Sequence, residues 1–518
     1  MHTQFHLLPD TATISPGGVL HIANHAVPDL AQQYGTPLYI FDKATIINAC
    51  KSYWEAFRTH YHASAVRMLY ASKAYLSPLI ARLIAEQGMG LDVVSGGELL
   101  VAQRADFPME RVSFHGNNKS EDELRLALKL GVGRIVLDNW SELGRLTRIV
   151  RETAQKPGVL LRVAPDVSTD THRYLQTGHA ASKFGFPLIN GEAKAAILRI
   201  LSEGQLRLLG LHAHTGTMLR EVRPYQESLE RLLALAYEVY QETGWWPEEI
   251  SPGGGWAIDT PDNSSTPGVE VLALALQVTM EKVQAGAMMD VDKRIGQRLA
   301  DKSAVARIRG MMKRGDQSAP TVGPEDVVNV HHRSPTVAEG PGHTVAPGSG
   351  PTMAPGPGPT VTPEPGPTVA PTLVIEPGRS IIARAGVAVY RIGARKPTPG
   401  GITYLFVDGG MADNIRPALY GAQYTALAVE RALVPLEENV CVSGRYCESG
   451  DMLIESVMLP RMHEGELLAL PTAGAYCLPM ASNYNLVPRP AVLLVDEQNI
   501  QVMQRRETYE DVLARYQM

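Results

Sequence analysis

Eight short apolar runs, each set off from the next by a stretch with helical period, constrain this chain more than any other feature. The runs are RMLYAS (67–72), GLDVVS (90–95), RVSFHG (111–116), RIVLDN (134–139), GVLLRVAP (158–165), RLLGLHAH (207–214), EEISPG (248–253) and TLVIEPG (372–378). Between them lie helical patterns such as SEDELRLALKLG and YQESLERLLALAYEVYQETG. The first of these opens with Ser120 and, three residues on, Glu123, the spacing of a capping box. Strands that alternate with helices pair in parallel. Eight such units predict a closed (β/α)8, TIM-like α/β barrel, with its chemistry at the C-terminal ends of the strands. The unusual residues fall at those ends. Lys73 follows the first run, Asp92 and SGGE the second, and His115 lies in the third. His214 ends the sixth, GGG (253–255) the seventh and EPGR (376–379) the eighth.

After residue 380 the pattern changes to short β-rich pieces punctuated by Gly and Pro: AGVAVYRIGARK, ITYLFVDGG, ALAVERALV, NVCVSGRY, ELLALPTAGAY and PAVLLVD. They predict a C-terminal all-β domain, a barrel or sandwich, over 381–518. TPLYIFDK (36–43) is placed to lend it a strand, so residues 1–42 are expected to pack with that domain. The barrel then takes 43–289 and 373–380. Residues 290–372 fit neither domain. Their second half is an eight-residue repeat of Thr, Val or Met, Ala or Thr, then Pro and Gly. That composition cannot build a core and favours an extended, disordered chain. The insertion falls between the seventh helix and the eighth strand, on the barrel's N-terminal face, away from the predicted site.

Totals narrow the function. The formal net charge is −6 with no long basic run, which argues against nucleic acid. Four cysteines in 518 residues make no disulfide framework, and no Cys/His spacing suggests a metal site. The first residues show no signal peptide, and no apolar run reaches the length of a membrane span. A cytoplasmic enzyme is the expectation.

A lysine at a strand-to-helix turn can form a Schiff base with an aldehyde cofactor such as pyridoxal 5'-phosphate. Such a cofactor needs an anion cradle, and Gly-rich turns expose backbone N–H groups to anions. PGGG (252–255) and EPGR (376–379) end adjacent strands, where this barrel commonly binds phosphate. The pyridine nitrogen needs a carboxylate, and Glu376 is the candidate. His214 could stack on the ring and Thr217 could reach the phosphate.

Ten pieces, in order, carry a resemblance: YASKAYLSP, GLDVVSGGEL, FHGNNKSEDEL, THRYLQTGHAASKFG, GLHAHTGT, SPGGGW, EPGRSIIARAG, VDGGMADNIRPALYGAQY, CESGD and GAYCLPMASNYN. Together they resemble the fold-III pyridoxal-phosphate decarboxylases, and most closely the diaminopimelate decarboxylases, over almost the whole chain except roughly 290–372. The resemblance implies that Lys73 holds the cofactor, that His214 stacks on its ring and that Glu376 faces its nitrogen. It implies that Thr217, Gly254, Gly255, Gly378 and Tyr476 surround the phosphate, with Asp92 and Arg379 also at the cofactor. Arg379, Arg416, Tyr420 and Tyr476 would bind substrate. Cys447, the donor that reprotonates Cα, and Glu448 would come from the partner subunit of a homodimer. Two departures stand out. HTGT replaces the family's usual HIGS, which keeps a hydroxyl. Arg445 and Tyr446 stand where the family usually has Gly-Pro, which could reshape the lip of the partner's site.

Relatives are separated by the distal end of the substrate. An ammonium end needs an acidic pocket, whereas a carboxylate end needs a cation. Arg416, with Arg379, supplies a fork suited to carboxylate. The expected reaction is therefore decarboxylation of meso-2,6-diaminopimelate to L-lysine. Alternatives are a same-fold decarboxylase of carboxynorspermidine or of carrier-bound glutamate, a racemase, and a non-catalytic regulatory homologue. A racemase would lack a CESGD counterpart, and a dead homologue would have lost Lys73 or Cys447.

Overall fold

The computed structural model describes residues 5–168, 182–262, 265–284 and 369–517. All eight apolar runs form strands: β1 (Val66–Ala71), β2 (Gly90–Val93), β3 (Val112–Phe114), β4 (Arg134–Leu137), β5 (Gly158–Ala164), β6 (Arg207–His212), β7 (Glu249–Gly253) and β8 (Thr372–Ile375). Each pairs in parallel with the next, and β8 pairs with β1, so the sheet closes. Short polar residues start the helices that return the chain. Ser77, Ser95, Ser120 and Asn139 accept backbone N–H bonds at the starts of the helices Pro78–Glu86, Gly96–Arg104, Glu121–Leu130 and Trp140–Thr153. The capping box of Ser120 and Glu123 forms in both directions.

Charges inside the barrel are paired. At its N-terminal end Glu249 of β7 takes Arg67 of β1, at 2.6 Å, and Arg134 of β4. Toward the other end Lys119, 2 % exposed, pairs with Glu142 at 2.7 Å and donates to the Gly116 and Val136 carbonyls. Burial pulls the lysine pKa down and pushes the glutamate up, which the contact between them opposes. The bond to Val136 ties the loop after β3 to the end of β4.

In the second sheet the N-terminal strand Leu38–Asp42 lies between two C-terminal strands, antiparallel to β9 (Gly386–Pro397) and parallel to Ala491–Val495. Leu20, Ile22, Val27 and Leu30 pack with Leu38, Ile40, Val387 and Leu493 in a core of their own. The first half of β9 also pairs with Leu467–Leu470, and its second half turns to Thr403–Val407. Two strands of this sheet were not anticipated, Met452–Leu459 and Ile500–Gln504. Both run along the ends of the sheet order with much of their length exposed, so neither needs a continuous apolar run. The insertion at 290–372 lies outside the described residues except for 369–372, which lead into β8. Among the described residues no helix is long and apolar enough to cross a membrane.

Asp413 knots this sheet together. Its buried carboxylate accepts from Tyr39 at 3.0 Å, from Tyr390 and from the Gly410 N–H at 2.9 Å. Burial pushes its pKa up to about 6 despite those bonds. The raised value means that the folded protein holds the proton more tightly than the unfolded chain, whose Asp titrates near ~3.9. The stability it contributes is fully present below about pH 4 and is lost as the pH rises through 6. Asp413→Asn cannot ionise, so it is expected to gain on the parent by about 3 kcal/mol between pH 4 and pH 7. Urea unfolding at both pH values measures this, and an unchanged difference would show that Asp413 does not titrate there.

Candidate active site

At the C-terminal ends of the barrel strands opens a cavity of about 590 Å³, closed on one side by the second sheet domain. Thirteen residues singled out by sequence line it: Lys73, Asp92, His115, His214, Thr217, Gly254, Gly255, Glu376, Gly378, Arg379, Arg416, Tyr420 and Tyr476. Cys447 and Glu448 do not. Both are exposed, on the loop between the strands Glu438–Ser443 and Met452–Leu459. Beside them Tyr446 turns inward against Tyr484, with ring centroids 5.9 Å apart, while Arg445 is exposed.

Lys73 sits on a single 3-10 turn after β1, and its Nζ lies 3.6 Å from Asp92 Oδ2. The lysine side chain is 43 % exposed, and the cavity it lines accounts for a position both accessible and enclosed. Burial opposes its charge, but Asp92, Tyr476 and Glu376 outweigh that and hold its pKa above the ordinary lysine value. The amine is a cation until a reacting group takes its place.

Glu376 is buried at the end of β8. His212 Nε2 lies 2.9 Å from its Oε2, Ser251 donates to its Oε1 at 3.0 Å, and His115 Nε2 lies 3.9 Å from Oε1. Burial alone would raise its pKa, yet the hydrogen-bonded His212, the largest opposing contact, holds it below the usual carboxylate range. It stays charged. His115 and His214 go the other way. Burial and the neighbouring cations push both imidazoles well below their ordinary value, so both are neutral. His214 Nδ1 accepts the Gly254 N–H at 3.4 Å, which leaves the proton of the neutral ring on Nε2.

The glycines are demanded by backbone packing. Gly253 and Gly255 have φ of +87° and +104°. A Cβ on Gly254 would stand 1.8 Å from the Glu376 carbonyl oxygen, and one on Gly378 would stand 2.8 Å from Ala71 Cβ. Only bare backbone lets these strand ends approach, and the same bareness leaves main-chain groups facing the cavity.

These features fit a pyridine aldehyde phosphate: an accessible amine, a charged carboxylate held deep, a neutral imidazole face and a glycine-edged cradle. Sequence reasoning did not place His212, Ser251, Arg162, Tyr424 or Cys477 at the site. HAH did hold the signal for His212, because residues two apart on a strand share a face. Arg162 lines the cavity with its guanidinium 3.8 Å from Asp138 and 4.4 Å over the Phe184 ring.

Comparison with known proteins decides the family. Residues 43–293 match the model of the pyridoxal-dependent decarboxylase, pyridoxal binding domain. The diaminopimelate decarboxylase of Bacillus subtilis is 34% identical over 98% of this chain and 97% of its own length. That of Mycobacterium tuberculosis is 32% identical over 99% of this chain and 98% of its own. The chain belongs to the diaminopimelate decarboxylase family. Its fold agrees with a crystal structure of the M. jannaschii diaminopimelate decarboxylase in complex with L-lysine, at a TM-score of 0.77, 27% identity and 98% coverage of each chain. The family uses pyridoxal phosphate, and the cavity residues suit it.

If His212 keeps Glu376 ionised, His212→Leu leaves burial acting on the carboxylate with one partner gone, and its pKa rises. The holoenzyme's cofactor absorbance should then depend on pH where the parent is flat, and turnover should fall by roughly 10². A flat spectrum in the variant would remove His212 from this role.

Proposed function

We propose that this chain removes carbon dioxide from meso-2,6-diaminopimelate and releases L-lysine, with pyridoxal phosphate as resident cofactor. The observation that carries the substrate is a pair of cavity guanidiniums without a counterion. Among the described residues neither Arg379 nor Arg416 makes an ion pair with a carboxylate. Burial and the like charge of Arg416 push Arg379 below its ordinary value. Two such cations repel the ammonium end of ornithine or lysine and attract a carboxylate. The names of the relatives agree with this choice.

Lys73 would hold the cofactor's aldehyde carbon, with Asp92 beside it to keep the free amine charged. Glu376 would meet the ring nitrogen as a carboxylate, kept charged by His212 and Ser251. His214 would cover one ring face. Gly254, Gly255, Gly378, Thr217 and Tyr476 would take the phosphate. When bound, the cofactor supplies an electron sink for the pair left by the departing carboxylate. Arg379, Arg416 and Tyr420 would fix the distal carboxylate. The bond from Cα to its carboxylate carbon breaks and a proton replaces it, so the products carry every atom of the substrate plus that proton less the one lost from the acid.

Cys447 and Glu448 lie outside the cavity of their own chain, which supports a role in a partner's cavity across a homodimer. There the Cys447 thiol would give the proton to Cα and Glu448 would take the distal ammonium. Carboxynorspermidine stays the second reading, but its single carboxylate is the one that leaves and its distal end is an ammonium, which the two arginines disfavour.

Carbon dioxide release should be measured with meso-diaminopimelate, carboxynorspermidine, L-ornithine and L-lysine, beside an absorbance spectrum. Turnover of diaminopimelate alone is expected, with a covalent chromophore near ~420 nm that Lys73→Ala lacks. Equal turnover of L-ornithine would overturn the carboxylate reading. Lys73→Ala and Cys447→Ala should each be inactive. Mixed and allowed to exchange subunits, they should regain about one quarter of the parent activity, because half the dimers are hybrids with one intact site. No recovery despite exchange would place Cys447 in its own chain's chemistry.

A further inference from the structure

Arg416 opens the short helix Arg416–Tyr420 and lines the cavity. What holds its guanidinium is unusual for a cation in so enclosed a place. Its Nη1 donates to the Tyr424 hydroxyl, and the group lies 5.6 Å over the Tyr424 ring. The Tyr424 hydroxyl in turn lies 3.2 Å from Cys477 Sγ, and that sulfur is 3.7 Å from the Ala475 carbonyl oxygen. Tyr424 is 5 % exposed and Cys477 is fully buried. Each link in this chain joins one donor to one acceptor. The arginine N–H gives to the tyrosine oxygen, the tyrosine O–H gives to the sulfur, and the thiol faces the carbonyl.

The chemistry of the chain matters more than its length. A carboxylate at either position would orient Arg416 equally well, but would cancel its charge. Tyr424 and Cys477 are neutral: burial pushes both their pKa values up. They spend one donor of the guanidinium and leave its charge whole. An arginine has five donors in a rigid fork, so fixing one aims the rest.

We infer that Tyr424 and Cys477 are specificity-determining positioning residues, which aim Arg416 at the distal carboxylate of the substrate without neutralising it. The inference rests on the reading of Arg379 and Arg416 as a carboxylate site. It goes beyond that reading by assigning the discrimination to two residues that need not touch the reacting carbon.

The test uses the holoenzyme and two competitors, the dicarboxylate pimelate and the monocarboxylate hexanoate, with dissociation constants from calorimetry and kinetics on meso-diaminopimelate. In Tyr424→Phe, pimelate should bind about tenfold more weakly while hexanoate changes little. KM for diaminopimelate should rise by a similar factor, with kcat changed far less, as expected when ground and transition states lose the same contact. Cys477→Ala, which removes only the far end of the chain, should weaken pimelate about threefold. These two variants make different demands on folding, so failure of one to fold leaves the other decisive. Parent-like pimelate binding in whichever variant folds would overturn the positioning role. A parent that prefers hexanoate to pimelate would overturn the two-arginine site itself, and the inference with it.

Discussion

A single buried carboxylate, Glu376, ties the fold to the chemistry. Its backbone carbonyl occupies the space where a side chain on Gly254 would begin, so the glycine run and the acid are one constraint. Its N–H bonds to the Gly253 carbonyl, at 3.3 Å, and the next carbonyl, of Pro377, accepts the Ala71 N–H at 2.9 Å. The end of β8 thereby fixes the end of β7 on one side and the turn bearing Lys73 on the other. A charged carboxylate without partners could not be kept at this depth, because burial would protonate it. His212 and Ser251 supply the partners: Ser251 comes from β7, which pairs with β8, and His212 from β6, one strand further round the closed sheet.

The site sorts its charges by how they are paired. Lys73 shares Asp92, and Glu376 shares its imidazoles, so an acid and a base persist side by side in the same cavity. Arg379 and Arg416 have no acid. Arg379 stands 4.6 Å over the Tyr476 ring and Arg416 leans on Tyr424, so aromatic faces and a hydroxyl take the place of counterions. One end of the cavity is therefore balanced and suited to a cofactor with its own charges, while the other is left positive. Elsewhere in the barrel, Lys119 with Glu142 and Glu249 with Arg67 and Arg134 show the opposite policy, in which every buried charge is closed off.

Much of this was legible without coordinates. Parallel strands buried on both faces must be written as apolar runs, and eight such runs stand in the sequence at the positions the strands occupy. The capping box at Ser120 was readable for a similarly local reason, since a hydroxyl and a carboxylate three residues apart meet within one turn. Met452–Leu459 and Ile500–Gln504 escaped because strands at the margin of a sheet face solvent and lose the run. His115 was legible as a strand-end residue but not as a neighbour of Glu376, and Ser251 escaped altogether. Only the closure of the barrel brings either to Glu376.

The sequence by itself determined the strand-and-helix alternation, the glycine turns and the lysine at a strand end. These are local, and each is enforced by hydrogen bonding and sterics within a few residues. It also determined the family, through ten motifs kept in order. Only the tertiary structure decided which ionisable groups are charged and what they face. Glu376 stays ionised through His212, 164 positions away, and Arg416 takes its aim from a tyrosine that reaches back to Cys477, 53 positions further on. The position of Cys447, outside the cavity of its own chain, belongs to the same class of facts. Burial and charge pairing depend on distance in space, and a linear string of residues does not carry that distance.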